Sequence, residues 1–340
     1  MPQRISRMPW VFLALIFSIT TSAHAEEPRS QSASASCPMK KLASLQVHIN
    51  EQGQTLVPVN IAGHDAWMAL RLDQGLLALF GAAIADWHLN LIPMNNGGRR
   101  ITMNDQPLTQ MVREDFRLGT QGFQNWPFVI YPAGDNPAVY SFEGKPLVGQ
   151  LSTRFLTAVD AELNLAQNNI TLFEHTKCAG GAVYWGGEIT SVHLAFDDAG
   201  LLHFPMQLED QEIQTSFDTS DRSSRITTEA TRKFFGFDAQ SSGVQSEFLD
   251  NGMQSHTYRA MSLTAKGLQI KDAKVTLWQT DKCRPDRSLS KIDGIGCTYY
   301  FGITPFAIGT DLLRQLHVYI ATQEKMIYFT RADSTAPASQ

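Results

Sequence analysis

An internal repeat restricts this chain's fold more than any other feature of its sequence. One copy opens with Val57-Pro58-Val59-Asn60-Ile61, turns at Ala62-Gly63-His64-Asp65 and returns through residues 66–72 to Asp73. The second opens with Phe204-Pro205-Met206-Gln207-Leu208, turns through Glu209-Asp210-Gln211-Glu212 and returns from Ile213 through Phe217 to Asp218. Each is two period-two apolar runs around a polar turn, the pattern of a β-hairpin, and each ends on a carboxylate. Matching elements follow in both copies. A short helix is predicted over 82–89 after Asp73 and over 227–235 after Asp218, the second capped by Thr227 or Thr228. The run beginning Gly149-Gln150-Leu151-Ser152 then matches that beginning Gly309-Thr310-Asp311-Leu312, and each leads into two more strands: 160–165 with 170–173, and 317–320 with 326–329. Such a chain is mainly β, with short helices, and is built from two similar units.

Length agrees with this, since 340 residues amount to about two domains. The first 25 residues stand apart from both units. Arg4 and Arg7 precede the apolar run 10–17, and Ala23-His24-Ala25 supplies a small-x-small cleavage pattern, so residues 1–25 read as a signal peptide cut after Ala25. The apolar run is too short to span a bilayer, no other stretch qualifies, and no cysteine follows closely enough for lipidation. The expected mature protein is therefore periplasmic or secreted, with no integral membrane segment. Removing the leader takes away two arginines and no acid, moving the net charge from −5 to −7 and arguing against nucleic acid as a partner. The two units are expected at 26–180 and 181–332, divided near Ala179-Gly180-Gly181, with a loose Ser/Ala/Thr/Pro-rich tail at 333–340.

Four cysteines in an oxidising compartment permit three pairings. Cys283 and Cys297 flank a Lys/Arg/Asp/Ser-rich loop that suits a local staple, which leaves Cys37 for Cys178. The Asp73-to-Asp218 offset is 145 residues and the Gly149-to-Gly309 offset 160, so the second copy carries an insertion about as long as the Cys283–Cys297 loop. Cys-x-x-Cys and His-x-x-x-His spacings are absent, so neither a metal nor another cofactor is expected. A Gly-x-Ser-x-Gly elbow and a phosphate-cradling glycine loop are missing too, which excludes the commonest serine-hydrolase and nucleotide-binding signatures.

Two copies of one fold pack most readily about a pseudo-two-fold axis, and this brings equivalent residues together. Carboxylates meeting on such an axis cannot both ionise cheaply and share a proton. One then acts as base on a water while the other hydrogen-bonds a carbonyl, which is water-mediated peptide hydrolysis.

The motifs Leu72-Asp73-Gln74-Gly75 and Phe217-Asp218-Thr219-Ser220, with the later Leu147-Val148-Gly149 and Ala307-Ile308-Gly309, resemble those of the retroviral-type and pepsin-like aspartic peptidases in a bacterial single-chain form. The resemblance covers most of residues 50–330. It implies two acid-protease lobes, each a closed β barrel, related by internal duplication. Asp73 and Asp218 would be the catalytic pair, with Gln74, Gly75, Thr219 and Ser220 shaping their loops, and an extended peptide or protein substrate would lie between the lobes. One chain supplies both lobes, so the expected form is a monomer. Family members carry a hydroxyl after each Asp and then a glycine. Here Gln74 lacks the hydroxyl, Ser220 replaces a glycine and would be strained at any positive φ, and Asp221 adds a third carboxylate. These departures set out an alternative, an inactive peptidase fold that binds peptides or a protein partner in the same cleft. The segments 95–100 and 250–252 read as hairpin tips or ordinary loops.

Overall fold

A computed structural model describes residues 39–94, 102–103, 106–132, 141–175, 183–248, 254–259, 262–265, 268–271, 273–278 and 304–332. The expected signal peptide, the tail and all four cysteines lie outside these residues, as do the segments 95–100 and 250–252. The described residues belong to one compact unit, Ser36–Gln340, and are mainly β.

Both predicted hairpins form. Thr55–Ile61 pairs antiparallel with His64–Arg71, and Leu202–Leu208 with Gln211–Phe217. The turns are shorter than the polar residues suggest. Ala62 (φ 50°) and Gly63 (φ 88°) alone connect the first hairpin, and Glu209 (φ 50°) and Asp210 (φ 65°) the second. His64 and Asp65 are already strand residues, paired with Ile61 and Asn60. Two left-handed residues match the twist of the flanking strands, so polar side chains beyond them continue the ladder on its exposed end. Along Leu202–Leu208 every second residue is buried, whereas residues 66–70 are buried on both faces. The reason is position: His64–Arg71 is an interior strand, with Lys145–Ser152 running parallel on its other side.

The duplication extends through the pairing of the sheets. In the first half the path runs from Thr55–Ile61 to His64–Arg71, Lys145–Ser152, Ala78–Phe80, Gln121–Tyr131, Gln110–Leu118 and Ile92–Pro93. In the second it runs from Leu202–Leu208 to Gln211–Phe217, Phe306–Ile308, Ser224–Thr227, Lys274–Trp278, Gln254–Arg259 and Val244–Phe248. At every step the sense is the same in both: antiparallel, parallel, antiparallel, parallel, then antiparallel twice.

This pairing also corrects the register of the repeat. Gln150 lies opposite Ala78, and Ala307 opposite Arg225. Gln150 is therefore equivalent to Ala307, Ser152 to Gly309 and Thr153 to Thr310; Gly149 is not the partner of Gly309. Each glycine answers a different neighbour. A Cβ on Gly149 would stand 2.0 Å from the Ala78 carbonyl oxygen, and one on Gly309 would stand 2.5 Å from Ser223 backbone.

A third, antiparallel sheet joins the halves. Its order is Lys41–Gln46, Asn169–Phe173, Asp160–Asn164, Leu316–Ala321, Met326–Arg331, Thr190–His193, three strands from each half. The halves meet at the central pair, where Ala161, Glu162 and Leu163 face Ile320, Tyr319 and Val318. Ala161, Leu163, Val318 and Ile320 turn one face into the main core. The other face carries buried Asp160, Glu162 and His317; Trp185 stacks on His317 at a centroid distance of 3.8 Å.

The helices are shorter than the sequence suggests. Over 82–89 only Ala85–Trp87 is helical, a 3-10 turn without a side-chain cap, ended by His88 in the left-handed region. Thr228–Ala230 and Thr231–Phe235 do form, with Thr227 as the cap accepting from the Ala230 N–H at 3.2 Å.

Candidate functional site

Asp73 and Asp218 each follow a buried residue, Leu72 and Phe217, just past the strands His64–Arg71 and Gln211–Phe217, but not at the same point of each copy. Counted from the two hairpin turns, Arg71 is the equivalent of Asp218, and Asp73 is the equivalent of Ser220. The two loops match in length: Arg71 to Ala78 and Asp218 to the equivalent Arg225 are each seven residues, so Asp73 stands two residues further along its loop than Asp218 does. Thr153 anchors the first loop through its N–H (3.0 Å) and hydroxyl (2.9 Å) to the Gln74 carbonyl. Thr310 anchors the second in the same way, to the Asp221 carbonyl at 3.0 and 3.3 Å.

The loops are tied across the two halves. Thr219 Oγ1 accepts from the Leu72 N–H (3.2 Å) and donates to the Leu70 carbonyl (2.7 Å), while its own carbonyl accepts from the Thr55 N–H (2.8 Å). Leu72, the residue equivalent to Thr219, has no hydroxyl to return the grip. In its place Thr153 Oγ1 reaches the Gly200 carbonyl of the other half at 2.6 Å. Thr219 is fully buried, so Thr219→Val leaves a buried N–H and a buried carbonyl without their partner. The expected cost is about 2 kcal/mol, read as a lower urea midpoint at unchanged slope; Thr219→Ser should recover most of it.

The roles of Gly75 and Ser220 differ from those expected. Gly75 does not have a positive φ; a Cβ there would fall 1.8 Å from the Ala199 carbonyl oxygen, so the glycine is needed for close approach between the halves. Ser220 is likewise not at positive φ and carries no such strain. Its N–H (3.0 Å) and hydroxyl (2.7 Å) both donate to Asp218 Oδ1.

Each carboxylate also has an arginine. Arg71 donates Nε to Asp73 Oδ1 and Nη2 to Asp73 Oδ2, both at 2.8 Å, a bidentate pair about one-fifth exposed. Arg225 donates Nη2 to Oδ2 of the fully buried Asp218, sets Nη1 3.8 Å from Asp221 Oδ2, and lies 4.7 Å from the Trp278 ring centroid. Its Nε is buried without a hydrogen-bond partner among the described residues. Burial opposes the charge on Arg71, but the Asp73 hydrogen bond and charge, with Asp218 and Asp221 beyond, outweigh it and raise its pKa above the usual arginine value. Asp311, behind the second loop, is raised by burial and by Asp221, against hydrogen bonds from Ser224 and Leu312.

The sequence singled out neither arginine, nor Thr153. The available signal was Arg71, a lone cation closing the apolar run 66–70 and two residues before Asp73. The arginines are not a product of the duplication: Asp218 itself stands at the position of Arg71, and Ala78 at that of Arg225. Among the described residues no cluster of His, Cys, Asp or Glu could hold a metal ion, and no helix is long and apolar enough to cross a membrane.

No protein-family model and no curated protein matches this chain. The crystal structure of basic 7S globulin from soybean is similar at a TM-score of 0.49 and 10% identity, covering 88% of this chain and 100% of that one.

Proposed function

We propose that this chain is a two-lobed protein of the aspartic-peptidase type that holds an extended peptide or protein segment between its lobes without cutting it. One observation carries this reading: Asp73 and Asp218 are each engaged by an arginine. Water activation needs a carboxyl oxygen free to take a proton and a second carboxyl placed to polarise the carbonyl. Both oxygens of Asp73 accept from Arg71, and those of Asp218 accept from Ser220 and Arg225. Binding needs none of this freedom. An extended ligand pairs through its own main chain, as an added strand. The cleavable leader assigns the protein to the periplasm or the exterior, and one chain completes the cleft as a monomer.

A second reading, an aspartic endopeptidase with Asp73 and Asp218 as its dyad, draws on the presence of an acid in each of the two equivalent loops and on the Thr219 tie between those loops. Incubation with an unstructured peptide pool from about pH 3 to 7 separates the two, since a shared-proton pair works on the acid side. Saturable binding with intact peptides is the expected result. Cleavage by the wild type that disappears in Asp73→Asn and Asp218→Asn would establish the peptidase instead. Neither binding nor cleavage would remove both readings.

A further inference from the structure

We propose that Arg71 binds the segment held between the lobes, donating from Nη1 to a main-chain carbonyl oxygen, and that the preferred ligand is an extended peptide without carboxylates. The inference rests on the peptide-holding reading of the fold.

The register of the duplication puts Arg71 at the place that matters. Counted from the hairpin turns it is the equivalent of Asp218, as Leu72 is of Thr219. Thr219, the residue after Asp218, bonds the Leu72 N–H and the Leu70 carbonyl, the backbone groups on either side of Arg71. Arg71 is therefore clamped at the junction of the halves, where the charges of Asp218 and Asp221 reach it.

The two equivalent positions differ in what they present. Asp218 is fully buried, and its oxygens are taken by Ser220 and Arg225. The Arg71 side chain is one-fifth exposed, and its bidentate bond to Asp73 uses Nε and Nη2, leaving Nη1 out of both contacts. A chain lying along the junction meets a donor from Arg71 and no free acceptor from Asp218.

Charge then selects among acceptors. Arg71 is matched by Asp73 and Arg225 by Asp218, with Asp221 Oδ2 a further 3.8 Å from Arg225. Among these five side chains no cation is left over to neutralise a ligand carboxylate. The guanidinium edge that would grip one with two parallel bonds is already engaged by Asp73. An amide carbonyl carries no net charge, is satisfied by one N–H, and recurs at every residue of an extended chain.

The test is fluorescence anisotropy with labelled, unstructured peptides of one length. The first is built from Ala, Ser and Thr with an amidated C-terminus; the second is the same peptide as a free acid; the third is amidated and carries Glu in place of Ser. Wild type should bind the first peptide tightest. Arg71→Met should weaken that binding about tenfold or more, the worth of a hydrogen bond from a charged donor, and Arg71→Lys should recover part of it. Asp73→Asn releases the engaged edge, so the Glu peptide should gain affinity on the order of tenfold, a change that a purely structural ion pair would not produce. Arg71→Met that melts cooperatively and binds the first peptide like wild type overturns the inference and leaves the non-cleaving reading standing. A wild-type preference for the free acid or for the Glu peptide also overturns it, and shows which carboxylate Arg71 takes instead. Absence of wild-type binding to all three peptides removes the inference together with the reading beneath it. Should Arg71→Met fail to fold, Asp73→Asn decides, because unchanged affinity for the Glu peptide overturns the inference.

Discussion

Asp218→Ala is expected to cost about 3–5 kcal/mol of folding stability, the usual result of breaking a buried ion pair from one side. The side chain is fully buried, and its two oxygens take hydrogen bonds from the Ser220 N–H, the Ser220 hydroxyl and Arg225 Nη2. Alanine removes all three at once. Arg225, whose side chain is only 23% exposed and whose Nε already lacks a partner, keeps its charge and loses its nearest counter-ion; Asp221 stands 3.8 Å away, too far for a hydrogen bond. The comparison is the surface pair Lys40–Glu174, with side chains 72% and 57% exposed, where Lys40→Ala should change stability by about 0.5 kcal/mol or less. Urea unfolding of both variants measures the difference. An Asp218→Ala midpoint no lower than that of Lys40→Ala would mean that Asp218 and Arg225 do not pair in solution.

Gly75→Ala should be nearly as damaging, by about 3 kcal/mol, although it adds a single methyl group. The added carbon would sit 1.8 Å from the Ala199 carbonyl oxygen and 2.9 Å from its carbon. These are backbone atoms of a turn held by Asp197, whose carboxylate accepts from the N–H groups of Ala199 and Leu201 at 2.9 Å. Neither neighbour can swing aside as a flexible side chain would, so one half of the molecule must shift against the other. Gly122 is the control: a Cβ there meets nothing within 4 Å and its φ is not positive. Gly122→Ala should be close to neutral by thermal melting. Equal losses at the two glycines would point to chain flexibility, not the contact with Ala199, as the cause.

The two-copy organisation was legible because it is written in local periodicity. Alternation along Leu202–Leu208 encodes one buried face whatever surrounds it, and the strands at 55–61, 64–71, 202–208 and 211–217 lie where the repeat suggests. Asp73 and Asp218 do follow those strands, but matching them with each other misled by two residues: the hairpin turns at 62–63 and 209–210 make Arg71, not Asp73, the equivalent of Asp218. The helix expected over 82–89 shrank to Ala85–Trp87 because nothing caps it and Trp87 is drawn onto His64, whose ring it stacks on at 4.5 Å. Matching Gly149 with Gly309 misled for a related reason. A glycine in sequence does not say which backbone it must approach, and here one faces Ala78 and the other Ser223.

From the residues alone came the duplicated hairpins, the mainly β character and a carboxylate shortly after each hairpin, all properties carried by neighbours in the chain. The partners of those carboxylates were settled only in three dimensions. Arg225 sits in the polar stretch Arg222-Ser223-Ser224-Arg225, which by itself reads as a solvated loop. It reaches Asp218 because Ser224–Thr227 pairs with Phe306–Ile308 on one side and Lys274–Trp278 on the other, segments about 50 and 80 residues away in sequence. Thr219 reaches Leu70 and Leu72 across nearly half the chain. Contacts at such separations depend on how whole sheets close and not on local pattern, so the sequence could locate the two acids but not show that each is held by an arginine.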